Sequence, residues 1–312
     1  MSQELPRLSK PAGIAVVAPS GAPLDEAAVL NGLARLQMQG FEVHHYYDPA
    51  QRMQRFGGTE QSRVAQMHEA ARNPDVSVVM ALRGSYGFSR ILPLLDWDLL
   101  ASSGKIFVGY SDFTLMHLGL LARGVQSLAG PMLCDDYTRE HISAYTLEQF
   151  TSALQSDMHQ VSFETAGQPD LQVEGRLWGG NLAMLTHATG TPYSAMIEDG
   201  ILFLEDVGEH PYRVERMLLQ LHYAGMLASQ KAILLGAFSG YRLAEHDAGY
   251  DFEAMLTYLR SLIKVPLITG LPFGHIRERA TLVVGANAAL TVKNQQAQVT
   301  MQHQCSLPLK NA

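Results

Sequence analysis

Cysteine is nearly absent from the 312-residue chain. Cys134 and Cys305 are the only two, too few for a disulfide scaffold or a cysteine-based zinc module. Cysteines used this sparingly are ordinarily small core residues. Charge is sparse as well: charged residues make up 17% of the sequence, below the ~25% of an average globular protein. With a net charge of −7 and no basic run, the chain lacks the electrostatic footprint of a nucleic-acid partner. No apolar run approaches the ~18 residues of a membrane-spanning helix. The segment from Met1 to Ala18 lacks the charged start and the apolar stretch of about 7–15 residues that mark a secretory signal. Metal-ligand signatures of the H-E-x-x-H or C-x-x-C type are missing, and His44 and His45 are adjacent on an expected strand, so they point to opposite faces. These absences predict a cytoplasmic protein with no metal or other cofactor, no membrane association and no nucleic-acid partner.

What is present is apolar and turn-rich. Hydrophobic residues make up 47% of the chain and glycine occurs 27 times, so extended disorder is excluded. The length suggests about two domains at ~150 residues each. The first half alternates strands with helices. Gly13 to Ala18 reads as a strand, Asp25 to Gln39 as a helix stopped by Gly40, Phe41 to Tyr46 as a strand and Ser62 to Arg72 as a helix. The nearly all-apolar run Val76 to Leu82 has the pattern of a strand buried on both faces. Lys105 to Gly109 and Phe113 to Ala122 follow as strand and helix. Such alternation predicts an α/β fold with an N-terminal, mostly parallel sheet flanked by helices. Residues 1–140 would form this domain and 141–172 a linker, with a helix over Ala144 to Leu154 but no clear strand signal. Residues 173–312 would form a second, smaller C-terminal α/β domain. Its strands are expected at Ile201 to Leu204, Ala232 to Phe238 and Leu267-Ile268, with an antiparallel ending of short strands around Asn294-Gln295.

Five local patterns can carry chemistry. In Val108-Gly109-Tyr110-Ser111-Asp112-Phe113-Thr114 a serine stands between an apolar strand and a helix. A tight turn there would expose Oγ, and the helix start would offer backbone N–H groups to an oxyanion. The familiar G-x-S-x-G signature fails at Phe113, and Ser111 or Asp112 could equally be a helix cap. Arg83-Gly84-Ser85-Tyr86-Gly87 follows a buried strand, where α/β sheets bind ligands and glycine permits close approach; an ordinary turn would look the same. Glu205, directly after Leu202-Phe203-Leu204, must be solvated or paired and could orient a histidine; a capping role for Asp206 or Glu209 competes. His275, in the turn Leu271-Pro272-Phe273-Gly274-His275, can serve as a general base, although the chain has 12 histidines. Leu177-Trp178-Gly179-Gly180-Asn181 reads as a turn whose Trp178 and Asn181 could line a pocket, or whose Trp178 could simply pack in the core.

Taken in order, these patterns resemble the L,D-carboxypeptidases (muramoyltetrapeptide carboxypeptidases), a serine peptidase family that also contains the microcin C immunity proteins. The resemblance runs from Ile14 to the His275 turn. Its most specific parts are Glu174-Gly175-Arg176-Leu177-Trp178-Gly179-Gly180-Asn181-Leu182 and the run from Glu205 to Leu219. It implies Ser111 as nucleophile, Glu205 as the carboxylate and His275 as base, with oxyanion donors on the backbone of Asp112 and of the Gly84-Ser85 turn. Many members have Gly-Gly where this chain has Gly84-Ser85, which adds a Cβ that would narrow the pocket. The implied activity is release of the C-terminal D-alanine from cytoplasmic murein tetrapeptides during wall recycling, by a two-domain, dimeric enzyme. Arg83, Trp178 and Asn181 are the candidate substrate-binding side chains, with Arg83 or the amides around Trp178-Gly179-Gly180 holding the substrate carboxylate. The alternative is a microcin-immunity-type hydrolase of acyl-sulfamoyl adenylates, with Trp178 stacking on adenine.

Overall fold

The computed structural model describes residues 6–307. The strands are β1 (Ala12–Val17), β2 (Phe41–His45), β3 (Val78–Ala81), β4 (Ile106–Gly109), β5 (Ser127–Ala129), β6 (Met158–Glu164), β7 (Leu171–Asn181), β8 (Gly200–Val207), β9 (Gln230–Ser239), β10 (Leu267–Thr269), β11 (Leu282–Val284), β12 (Asn287–Lys293) and β13 (Gln296–Gln302). The helices are α1 (Glu26–Met38), α2 (Glu60–Arg72), α3 (Phe88–Ile91), α4 (Trp97–Ser102), α5 (Thr114–Leu121), α6 (Ala144–Gln155), α7 (Leu182–Ala188), α8 (Pro211–Tyr223) and α9 (Phe252–Leu262). Helices α1, α2, α6 and α9 start where short polar side chains cap them. Asp25, Thr59, Ser143 and Asp251 each accept a backbone N–H three residues on, satisfying an orphan donor of the first turn.

The first sheet has the order β11-β5-β4-β3-β1-β2. It is parallel from β2 to β5, and only β11 runs antiparallel. Its strands β1, β3 and β4 are almost wholly buried, as expected where helices cover both faces. The second sheet has the order β10-β9-β8-β7-β12-β13-β6. Its β10-β9-β8-β7 half is parallel, while β12, β13 and β6 extend it antiparallel. The β12–β13 hairpin turns on Asn294 and Gln295, both with positive φ, the conformation that matches strand twist in a two-residue hairpin. Helix α5, buried at every residue, packs on β5, β7 and α7 and so lies between the two sheets.

Three expectations need correction. The span 141–172, expected to be a linker with a helix and no clear strand, carries β6 and the start of β7 besides α6. The strand signal was masked because Met158, on the outward face of β6, is exposed, while His159 on the inward face is buried against Gln149, 3.1 Å away. Nor does the C-terminal segment stay with its own sheet, since β11 returns to pair with β5. The expected turn at Trp178 to Asn181 is likewise a strand end. Gly179 and Gly180 lie inside β7 with φ of +134° and +143°.

A Cβ on Gly179 would sit 1.9 Å from the Phe203 carbonyl oxygen of β8, so only glycine lets these two strands pair there. Gly179→Ala should therefore destabilise the protein by roughly 3 kcal/mol or more, combining overpacking with backbone strain. Urea unfolding measures this; a loss below about 1 kcal/mol would show that the strands yield to the methyl group.

Candidate active site

Strands β3 and β4 are parallel neighbours, so the loops leaving their carboxyl ends lie side by side. One carries Arg83 to Gly87 and the other begins at Ser111. Ser111 opens a single 3₁₀ turn, Ser111–Phe113, before α5. Its φ is +62°, a left-handed conformation that is uncommon for a residue with a Cβ and is concentrated at functional sites. The sharp reversal places Oγ at the sheet edge. Phe113 occupies the second glycine position of the usual signature without strain, because its own φ is −67°. Room for its ring comes from Gly109, where a Cβ would meet the Phe113 ring at 2.8 Å.

Strands β7 and β8 are also parallel neighbours, in a register that sets Asn181 beside Glu205. Glu205 is completely buried. A register shift between β8 and β9 at Leu204/Asp206 breaks the strict alternation of faces, as β-bulges do near functional sites. As a result the amide of Asn181 donates both to Glu205 Oε1 at 3.2 Å and to Asp206 Oδ1 at 3.0 Å. The Asn181 N–H donates to Thr114 Oγ1 at 3.0 Å, tying β7 to the helix that follows Ser111.

His275 stands on the segment that leaves β10 in the second sheet and enters β11 in the first. This crossing brings three distant residues into one chain of contacts. His275 Nε2 lies 3.1 Å from Ser111 Oγ, and His275 Nδ1 lies 2.7 Å from Glu205 Oε2. A neutral ring with its proton on Nδ1 donates to Glu205 and leaves Nε2 to accept the Ser111 hydroxyl. Burial lowers the basicity of the imidazole, but the hydrogen bond and charge of Glu205 outweigh it and hold His275 above the ordinary histidine value. Asp206 is pushed up to about 6, first by burial and then by the charge of Glu205.

The turn expected to carry oxyanion donors packs against Ser111. A Cβ on Gly84 would sit 2.9 Å from Ser111 Cβ and 3.1 Å from its Oγ, so only glycine lets the turn approach Ser111 this closely. Ser85 has φ +75° and its Oγ accepts from Arg55 Nη2 at 2.8 Å. Asp112 has a second task beside its backbone. Its buried carboxylate accepts the Phe88 N–H at 2.8 Å, and the buried Arg63 donates to the Gly87 and Pro19 carbonyls. The turn is thus pinned from two sides. Arg83 is half-buried and donates to the Ala22 carbonyl at 2.8 Å, bracing the neighbouring loop.

Two expected substrate contacts are corrected. Trp178 is 0% exposed, and its indole N–H donates to Gln230 Oε1 at 2.8 Å; it is a core residue and offers no surface to a ligand. Asn181 is buried too, and its amide serves Glu205 and Asp206 instead of a pocket. Sequence reasoning missed Arg55, Arg279 and Asp136, because their roles arise from partners far along the chain. Among the described residues, no group of three or more His, Cys, Asp or Glu is arranged to hold a metal ion, and no helix is long and apolar enough to cross a membrane.

Residues 14–130 match the LD-carboxypeptidase N-terminal domain and residues 174–290 the LD-carboxypeptidase C-terminal domain. The chain belongs to the LD-carboxypeptidase family. It is 30% identical to the murein tetrapeptide carboxypeptidase of Pseudomonas aeruginosa, over 89% of this chain and 92% of that one. The crystal structure of muramoyltetrapeptide carboxypeptidase from Oxalobacter formigenes superposes with a TM-score of 0.91 at 46% identity, covering 95% of this chain and all of that one. The microcin C7 self-immunity protein of Escherichia coli is 27% identical over 79% of this chain and 80% of that one. This LD-carboxypeptidase family member is an α/β enzyme with a helix-flanked parallel sheet and a second sheet domain, as the strand–helix alternation predicted.

The His275 environment yields a measurable sign. Followed by imidazole NMR, His275 should titrate above the ordinary ~6.5. In Glu205→Gln the main raising influence is gone while burial and the charge of Arg279 still lower the basicity, so the midpoint should fall below that value. A midpoint unmoved by Glu205→Gln would show that Glu205 does not govern the imidazole.

Proposed function

We propose that this carboxypeptidase releases the C-terminal D-alanine from murein tetrapeptides in the cytoplasm, through a Ser111–His275–Glu205 triad and an acyl-enzyme. The observation that carries the reading is the continuous contact from Ser111 Oγ through both ring nitrogens of His275 to the buried Glu205, at 3.1 and 2.7 Å. The family relationship supplies the substrate class.

In this reading His275 Nε2 takes the Ser111 proton while Oγ attacks the carbonyl carbon of the L-configured centre. Glu205 holds the tautomer and stabilises the imidazolium. The N–H of Asp112 and an N–H of the Gly84-Ser85 turn receive the oxyanion, each worth about 3–4 kcal/mol. His275 then returns the proton to the departing amine and D-alanine leaves. Water, deprotonated by the same Nε2, attacks the acyl carbon; Ser111 regains its proton, and the shortened peptide leaves with a new carboxylate. A carboxypeptidase must also recognise the free carboxylate that follows the cleaved bond. The exposed Arg55 supports this role, because its guanidinium is held on Ser85 of the oxyanion turn. The alternative of adenylate hydrolysis loses its stacking platform, since Trp178 is wholly buried.

Ser111→Ala should lower the rate of D-alanine release by at least about 10⁴-fold with the fold intact, in line with triad losses of up to ~10⁶; a variant retaining a tenth of the wild-type rate would refute the nucleophile. The pH profile of kcat/KM should rise through one limb centred above the ordinary histidine value, since His275 must be neutral to act and Glu205 favours its charged form. That limb should survive prolonged treatment with a strong chelator. Activity lost to the chelator and restored by zinc would overturn the triad. Asn181→Ala should lower kcat while KM changes little, because Asn181 acts on Glu205; a rise in KM alone would return it to the substrate.

A further inference from the structure

Behind His275 lies a second charged assembly that the reaction does not use directly. Arg279 is 0% exposed. Its Nε donates to the Gly274 carbonyl at 2.6 Å and its Nη2 to the Ile276 carbonyl at 3.1 Å, so it grips the backbone on either side of His275. Its Nη1 reaches both carboxylate oxygens of Asp136, at 2.7 and 2.6 Å. Asp136 in turn accepts the Met132 N–H at 2.9 Å, in the segment that follows β5 of the first sheet. The guanidinium also lies 3.7 Å from the centre of the Tyr110 ring. Tyr110 immediately precedes Ser111, and its ring meets the His275 ring edge-on with centroids 5.0 Å apart. The Tyr110 hydroxyl is fixed by donation to Asp135 at 3.0 Å.

We propose that Arg279, anchored by Asp136, is a positioning residue that sets the distance and angle between Ser111 and His275. One planar cation touches the residue before the nucleophile and the carbonyls on both sides of the base, and its fourth partner fixes it to the first sheet. A guanidinium has the rigid fork of donors this needs, whereas a lysine ammonium at the same place is a point charge on a flexible stem. A small misplacement of reacting groups can cost about 10²-fold in rate. Loss of the fork therefore appears in the chemical step and leaves substrate binding largely alone. The roles of Ser111 and His275 are those of the proposed function, and the inference rests on them.

Arg279→Lys and Asp136→Asn are compared with the wild type for kcat and KM of D-alanine release, for cooperative unfolding, and for the far-downfield Nδ1 proton of His275 in the NMR spectrum. Arg279→Lys should unfold cooperatively, lose about 30-fold or more in kcat with KM within about threefold, and shift or broaden the His275 proton signal. Asp136→Asn keeps both carbonyl bonds of Arg279 and should show the same pattern, smaller in size; it decides the matter should Arg279→Lys fail to fold. Variants that lower only the unfolding midpoint, with kcat of the folded protein within twofold of wild type and an unmoved proton signal, would overturn the positioning role. A wild type that releases no D-alanine but is labelled at Ser111 by a fluorophosphonate would refute the substrate instead. The labelling rate would then be the readout, with the same losses expected in the two variants.

Discussion

The whole architecture turns on a 3.1 Å contact between residues 164 positions apart, Ser111 and His275. Neither residue can be brought to the other by local structure. Ser111 is fixed by β4 in the middle of the first sheet, and Glu205 by β8 in the middle of the second. His275 belongs to the short segment that crosses between the sheets, and it can bridge the two only if both ends of that segment are held. β10 holds one end in the second sheet and β11 holds the other in the first. The return of a single three-residue antiparallel strand to the N-terminal sheet is therefore what closes the site. The wholly buried helix α5, packed between the sheets, carries the same junction on the serine side.

The first sheet was legible because its strands are buried on both faces and so read as continuous β-branched runs between capped helices. Val76 to Leu82 is an example: only polar turns could follow such a run, and one did. What stayed hidden was the pairing. Leu282–Val284 is a short apolar segment followed closely by the β12–β13 hairpin, and nothing local distinguishes a strand that joins its sequence neighbours from one that joins β5. The strand β6 stayed hidden for a different reason. Its inward face carries His159 and its outward face Met158, so the polarity pattern begins inverted, and tertiary burial of a histidine beside Gln149 overrides the local signal.

At the site, the residues that touch each other were readable as an ordered set, because the order of the motifs follows the order of the strand ends. Ser111, Gly84 and His275 lie on loops at strand ends, and the structure brings Ser111, His275 and Glu205 together. The supporting residues were misread or unseen. Asn181 sits beside a Gly-Gly pair and looks like a pocket amide, but its strand register against Glu205 turns it inward. Trp178 is large and aromatic, a type equally suited to a pocket wall or a core, and only its hydrogen bond to Gln230 and full burial decide between them. Arg279 carries no local signal, since a lone arginine after a turn is most often a solvated side chain. Its meaning comes from Asp136, 143 positions away.

The electrostatics of the carboxylate side follow from crowding two acids around one amide. Glu205 and Asp206 share the Asn181 donor, and like charges this close cannot both ionise freely. Asp206 is pushed up to about 6, first by burial and then by the charge of Glu205, even though the Val207 and Ala183 N–H groups favour its anion. Glu205, not Asp206, faces the imidazole, at 2.7 Å. The side-chain charges that act on His275 are those of Glu205, Arg279 and Asp135. The bulge that turns Asp206 inward thus places a second acid on Asn181, while the imidazole answers to Glu205.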